Sequence, residues 1–450
     1  MRRYKNFAPK FNGRYLTSNV NITVDRYGQQ VSVPVGRRKV TALGVLFNFT
    51  GNDKNTTVQK VADMVQEKWF ADAIEDEPDF FLLAGHMPVA KDNWPVVFNA
   101  IRKVHALTPI IILGGHTHIR DCLQLDGRSM SLESGRYMET IGWLTAKLDH
   151  EKTKNSNVTF TRRYLDPNRV TYEYHAGKKS YRFNTQSGLS ITGGLKALAK
   201  AFKLDTAFGT APHDFTLSRA PYPSENSQLS LFIKKAVPAA LAINNTRASI
   251  PNYIIANSGS QRFDIYAGAF TKNDQLTSSP FTDAFLYIPS IPLSLAKQVL
   301  TSLNGAGLSQ RRDLVDLKAR ESHLYGIGDV RKRYLEWLEE MDKRHGLERR
   351  AAANLTLGYV TNDACPGVGD DTLHAPLPYY STPDYIASNP PNVSDNTPID
   401  LVFVDFIESN VISILNKAQK TKVYATTDVQ PYSSVLTSQA LGIYAQKAWN

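Results

Sequence analysis

Short apolar runs alternate with helically spaced apolar residues over the first 120 positions. Val40–Phe47, Phe80–Ala84 and Pro109–Leu113 are nearly continuous apolar stretches of strand length. Between the first two, Val58, Val61, Val65 and Trp69 recur at helical spacing. Before the third, Pro95 stands at a first helical position, with Val97, Ile101 and Val104 along one face. Strand, helix, strand, helix, strand predicts crossover connections and hence an α/β arrangement. Beyond about residue 150 the pattern loosens. Residues 151–190 are polar, mixed with Tyr and Arg, and read as a connector carrying short strands. Leu195, Leu198 and Phe202 predict a helix. A Pro-rich loop follows at 209–225, then a helical stretch near 228–242 and an apolar strand beginning at 252. Leu295, Val299 and Leu303 predict a helix ended by Gly305, and Asp329 is placed to cap another that Gly346 stops. The simplest organisation is a domain over 1–150, a connector over 151–195 and a second domain over 196–450.

Composition narrows the class without changing that picture. Of the 450 residues, 42% are hydrophobic and 21% charged, which excludes a disordered, collagenous or coiled-coil chain. No apolar run approaches the roughly 18 residues a spanning helix needs, so no membrane span is expected. Two cysteines, Cys122 and Cys365, exclude a disulfide scaffold or a thiolate cluster and leave open whether they pair. Sequons at Asn21, Asn48, Asn55, Asn157, Asn244, Asn354 and Asn392 hint at a secretory route. The formal charge of +10 raises the question of nucleic acid. The basic clusters, such as Lys343-Arg344-His345, accompany no nucleic-acid motif, and a basic surface also steers small anionic phosphates. No nucleic-acid partner is expected.

The candidate chemistry begins where two buried strands end. His86 follows FFLLAG, and His116 and His118 follow PIIILGG. Ligands gather outside the carboxyl ends of strands in open α/β sheets. Gly85, Gly114 and Gly115 are placed to let the backbone turn and converge the imidazoles. Neutral imidazole suits divalent Zn, Mn or Fe. The same histidines also fit a structural role as hydrogen-bonded residues, and residue chemistry alone leaves both readings open.

Gly85-His86 followed by Gly115-His116-Thr117-His118 resembles the last two metal motifs of the calcineurin-like metallophosphoesterases. Further on, Asn257-Ser-Gly-Ser-Gln-Arg262 and Ser279-Pro280-Phe281 resemble, in the same order, the substrate motifs of the 5′-nucleotidase C-terminal domain. The resemblance covers most of residues 12–300 and is nearest to a fungal branch. It implies a truncated metallophosphoesterase αββα sandwich followed by a 5′-nucleotidase-type C-terminal α/β substrate domain. It also implies a dinuclear divalent-metal site using His86, His116 and His118, and hydrolysis of a nucleotide or related phosphomonoester by metal-activated water. In the second domain it implies that Asn257 and Arg262 contact the nucleotide and Phe281 stacks on the base. An Arg fork suits phosphate or carboxylate, and an aromatic face suits a base. The loop Cys365-Pro-Gly-Val-Gly-Asp370-Asp371-Thr372-Leu-His374 resembles a second substrate loop, which makes Asp370 a further substrate candidate. Thr372 stands there where the family carries a base-stacking aromatic, and His374 or Tyr379 is an alternative stacking partner. Family habit and the sequons together favour a secretory, vacuolar or extracellular location.

The sequence also departs from the family. None of the ten histidines has an Asp two residues before it, neither Gly-Asp pair has an Asp three residues on, and no Gly-Asn-His occurs. The family's first three metal motifs are therefore not found, and the expectation is a chain that begins inside the catalytic domain. Exposed apolar edges on 40–47 and 80–84 are expected with it. The alternative to hydrolysis is a remnant that binds a nucleotide or phosphate ligand without cleaving it.

Overall fold

The computed structural model describes residues 8–11, 15–22, 31–35, 38–49, 56–89, 93–148, 157–309, 361, 363–371, 378, 380–450. These fall into two compact units, and the division is not linear. One unit takes the chain up to Phe183 together with residues between Thr356 and Pro376; the other takes residues from Asn184 onward and from Leu377 to Asn450. The predicted helix capped by Asp329, and the positions Thr372, His374 and Tyr379, lie outside the described residues.

The first unit is built on a mixed sheet of β1 (Val31–Val35), β2 (Arg38–Leu46), β3 (Phe80–His86), β4 (Ile110–Leu113), β5 (Arg120–Leu123) and β6 (Ser129–Ser134). The order is β1-β2-β3-β4-β6-β5. Strands β2, β3, β4 and β6 are mutually parallel, and the two edge strands run antiparallel to their neighbours. Parallel neighbours require crossovers. Helices α1 (Lys68–Glu75) and α2 (Trp94–Val104) supply two of them. Their apolar faces bury Phe70, Ile74, Val97 and Ile101 against Leu43, Val45, Phe81, Leu83, Ile110 and Ile112. Burying each such side chain is worth about 1.5–3 kcal/mol. A second sheet of β7 (Ile141–Lys147) and β8 (Thr159–Leu165) packs Phe160 and Tyr164 with Met130 and Leu132 of β6. The layers are thus helix, sheet, sheet.

The expected exposed apolar edges are not found. Strand β1 covers one side of β2, and β3 is paired on both sides, so the ladder groups of both apolar strands are satisfied. Ser18 and Asn19 latch onto the same strand. Buried Asn19 exchanges hydrogen bonds with the backbone of Leu46, and Ser18 accepts from Gly44 N–H.

Residues 363–371 join this unit as a strap. Gly369–Asp370 adds a two-residue strand parallel to β8, and Cys365 is disulfide-bonded to Cys122 across 243 positions. Asp363 receives Arg162 and the Tyr164 hydroxyl, and Asp371 pairs with His175.

The second unit opens with helix α3 (Gln186–Ala201). Its sheet runs β11-β9-β12-β10-β13, from β9 (Asn252–Asn257), β10 (Ala284–Pro292), β11 (Tyr385–Ala387), β12 (Pro398–Val404) and β13 (Gln430–Leu436). Helices α4 (Leu293–Ser309), α5 (Glu408–Ala418) and α6 (Thr437–Ala448) share its core, with Val299, Val411 and Leu441 fully buried. Gly305 was expected to end its helix, but α4 continues to Ser309: intrahelical bonding outweighs the preference of one glycine for a cap. Among the described residues, no helix is long and apolar enough to cross a membrane.

Candidate metal centre and substrate subsite

The buried faces of β3 and β4 bring their carboxyl ends side by side, since Ala84 lies opposite Leu113 in the ladder. The turns leaving them are then tied together. The Met87 carbonyl, one residue past His86, accepts from Gly115 N–H at 3.0 Å and from the buried Trp94 indole at 3.0 Å. This bond draws His86 and His116 together, and His116 Nδ1 lies 3.0 Å from His86 Nε2. Phe47, just past β2, stacks obliquely on His116 with ring centroids 4.4 Å apart.

The glycines do a different job from the one expected. A Cβ on Gly85 would stand 1.8 Å from the Val45 carbonyl oxygen, and one on Gly114 would stand 2.7 Å from that of Met87. Their role is close backbone approach. The left-handed turns fall on the histidines themselves, with φ of 87° at His116 and 65° at His118. Non-glycine residues pay strain there and concentrate where surrounding structure over-determines them.

Glu133 on β6 supplies part of that determination. It is buried, and one carboxyl oxygen accepts from Val89 N–H at 3.2 Å, while the other has no hydrogen-bond partner. It therefore holds the turn after His86. Burial first, then the neighbouring Asp121, push its carboxyl well above the usual carboxylate range. Two residues beyond His118, the fully buried Arg120 donates to Asp166 at 3.0 Å, Asp370 at 2.8 Å and Thr140 at 2.9 Å.

Asp370 was expected at a substrate loop of the second domain. It lies in the first unit, where one oxygen accepts from both Arg120 and the Thr361 hydroxyl and the other from Thr361 N–H. Its carboxylate is thus bonded by a buried guanidinium within the strap.

A metal fits this centre in part. The His86 ring reaches solvent, yet crowding by protein atoms lowers its pKa, which favours the neutral, ligating imidazole. Two nitrogens on one tetrahedral zinc lie about 3.3 Å apart, near the observed separation. Among the described residues, no third His, Cys, Asp or Glu atom converges with this pair; the one such trio is Cys122, Asp363 and Cys365, whose sulfurs are joined to each other. His118 sits beside Tyr137, with ring centroids 6.3 Å apart, and does not close the set. The pair supplies two donors where a tetrahedral site takes four.

In the second unit, β9 ends at Asn257, and a single 3-10 turn (Ser258–Ser260) carries the chain to Arg262. Buried Gln261 donates to Ser279 at 3.1 Å, and Arg262 N–H donates to the Ser278 carbonyl at 2.8 Å, so the loop bearing Phe281 is fixed against the turn. The Arg262 guanidinium lies 4.9 Å from the Phe281 ring centroid, over its face. Asn257 Oδ1 and Gln228 Oε1 are buried acceptors without a hydrogen-bond partner. Orphan buried acceptors are rare, and a ligand donor would satisfy them. The structure thus brings Asn257, Arg262 and Phe281 into one neighbourhood.

Sequence reasoning missed Phe47, Glu133 and Arg120. Phe47 has a signal in hindsight, an aromatic just past a strand; Glu133 and Arg120 stand in the polar strands SMSLES and RDCL, which give none.

A profile for the C-terminal domain of NAD nucleotidases matches residues 214–412. A secreted protein of Arthroderma benhamiae is 33% identical, with 99% of this chain and 75% of that one aligned. The crystal structure of a 5′-nucleotidase from Candida albicans superposes with a TM-score of 0.80 at 27% identity, covering 99% of this chain and 80% of that one. A 5′-nucleotidase precursor from Thermus thermophilus, at 11% identity and a TM-score of 0.54 over 96% of this chain and 75% of its own, shares the fold. The motif order, the two-unit α/β architecture and these likenesses agree: the chain belongs to the 5′-nucleotidase family of metallophosphoesterases.

Proposed function

We propose that this protein hydrolyses a nucleotide or related phosphomonoester with the help of divalent metal, that His86 and His116 are ligands of one ion, and that His118, which stands apart from that pair beside Tyr137, serves a second. The observation that carries the reading is the pairing of His86 and His116 nitrogens 3.0 Å apart on turns locked by the Met87 carbonyl. A divalent cation supplies Lewis acidity toward the phosphoryl group and lowers the pKa of water. The chain's own residues do the rest. Strained turns hold the imidazoles in place before any ligand arrives, so little reorganisation is required. Asn257 offers an acceptor to a base amino group or sugar hydroxyl. Arg262 offers a planar donor fork, and Phe281 offers one ring face while Arg262 covers the other. Family membership supports a nucleotide as the substrate class.

Binding without hydrolysis is a second reading, favoured by one observation: two converging donors do not complete a metal site among the described residues. Metal analysis of the full chain after equilibration with Mn or Zn separates the two, paired with turnover of an aryl phosphate. Stoichiometric metal and turnover support hydrolysis. Absent metal and no turnover overturn it in favour of binding alone.

A secretory location belongs to the same proposal. The Cys122–Cys365 disulfide is a feature of oxidising compartments, and the Arthroderma benhamiae relative is a secreted protein.

A further inference from the structure

Helix α3 has no buried residue along its 16 positions. An isolated helix of that length is marginal in water, and this one is further weakened by Gly188, Gly193 and Gly194 and by β-branched Ile191 and Thr192. A Cβ on Gly193 or Gly194 would meet nothing within 4 Å. Its apolar residues are nonetheless ordered into a stripe. Ile191, Leu195, Leu198 and, just past the helix end, Phe202 follow at intervals of four, three and four, which places them on one face. Their exposures are 65%, 62%, 53% and 57%. Side chains of this size in a contiguous exposed row mark an interaction surface.

Charge selects the partner. Between residues 184 and 203 of this unit stand Lys196, Lys200 and Lys203, with no Asp or Glu among them. On a helical projection Lys196 and Lys200 lie away from the apolar stripe, on the side that also carries the exposed Leu189. A helix that is apolar on one face, cationic on the other and too short to span reads as one that lies in a lipid–water interface.

We propose that α3 is an interfacial membrane-binding helix for anionic lipid. Ile191, Leu195, Leu198 and Phe202 enter the acyl boundary, and the lysines engage acidic headgroups. The protein would then work on a membrane surface without spanning it.

The test is co-sedimentation of the purified full chain with phosphatidylcholine vesicles, with and without about 20% phosphatidylserine. Two variants accompany it: Leu195→Asn/Leu198→Asn/Phe202→Asn, which removes the stripe, and Lys196→Glu/Lys200→Glu, which reverses the charge. The full chain is expected to sediment with the anionic vesicles and not the neutral ones. Each variant should lower binding at least ~10-fold while keeping the parental thermal midpoint, and added salt should weaken binding. Three results overturn the proposal. One is no binding to anionic vesicles, and another is equal binding by the stripe variant. The third is a stripe variant that loses several degrees of thermal midpoint or dissolves a dimer, which would mean that protein covers this face.

Discussion

At the ends of β3 and β4 the histidines sit on turns held by the Met87 carbonyl and by buried Glu133, whereas at the end of β9 Asn257 leaves a buried oxygen without a partner. The first region is over-determined, and several independent bonds fix the same few residues. The second is rigid in its backbone, through Gln261, Ser278 and Ser279, and leaves Asn257 Oδ1 and Gln228 Oε1 without a partner, as the first leaves Thr117 Oγ1 and Glu133 Oε1. A metal centre gains from ligands fixed in advance, because reorganisation costs affinity. A substrate subsite gains from unmet hydrogen-bonding capacity, which only a bound ligand fills. Substitutions should therefore strike stability in the first region and binding in the second.

The largest effect is expected at Arg120. Arg120→Met leaves the Asp166 and Asp370 carboxylates without their buried guanidinium, and removing one partner of such a network costs about 3–5 kcal/mol. Chemical denaturation should show that loss, with the midpoint shifted and the denaturant slope kept. Equal stability would show that the strap is held elsewhere.

Next comes the disulfide that fastens the strap to β5. Cys122→Ser/Cys365→Ser should lower stability by about 2–4 kcal/mol, read by thermal unfolding in non-reducing buffer. The affinity for nucleotide should be unchanged, since the subsite proposed at Asn257, Arg262 and Phe281 belongs to the other unit.

Asn257→Leu should do the reverse. It removes an unpaired acceptor from a buried position, so the thermal midpoint should hold, while nucleotide affinity falls about 10- to 100-fold. Equilibrium dialysis with a nucleoside monophosphate measures this. Unchanged affinity would remove Asn257 from the subsite.

The smallest effect concerns Asp283, two residues past Phe281. Burial, and then the nearby Asp405, push its carboxyl up to about 6. A raised carboxyl favours the folded state fully below about pH 4 and loses that contribution as pH climbs through 6. Asp283→Asn should thus match the parent at pH 4 and unfold at a slightly higher temperature at pH 8.

How much of this was legible depends on what each feature rests upon. Strands β3 and β4 were readable because FFLLA and PIIIL are apolar runs of strand length next to glycines, and the structure buries one face of each fully and the other in part. The placement of His86 and His116 followed from those strand ends. The turn geometry did not follow, because glycine was the obvious residue for a left-handed φ and the histidines took it instead. Long-range partners were also out of reach. Nothing local in Arg120 or Cys122 points to Asp370 or Cys365 roughly 250 positions away, and that strap is what moves Asp370 from the second domain to the first. Phe47 reads as the end of a strand until the adjacent turns are folded against it.

The central claim is that a phosphoesterase centre is organised around the histidine pair. Its most direct test is phosphate release from a nucleoside 5′-monophosphate by the full chain titrated with Mn or Zn, beside His116→Asn, since Asn tolerates the left-handed turn that His116 occupies. Release that rises with metal and saturates, and that is lost in His116→Asn at an unchanged thermal midpoint, is the predicted result. Release equal in both proteins, or independent of metal, would contradict the assignment.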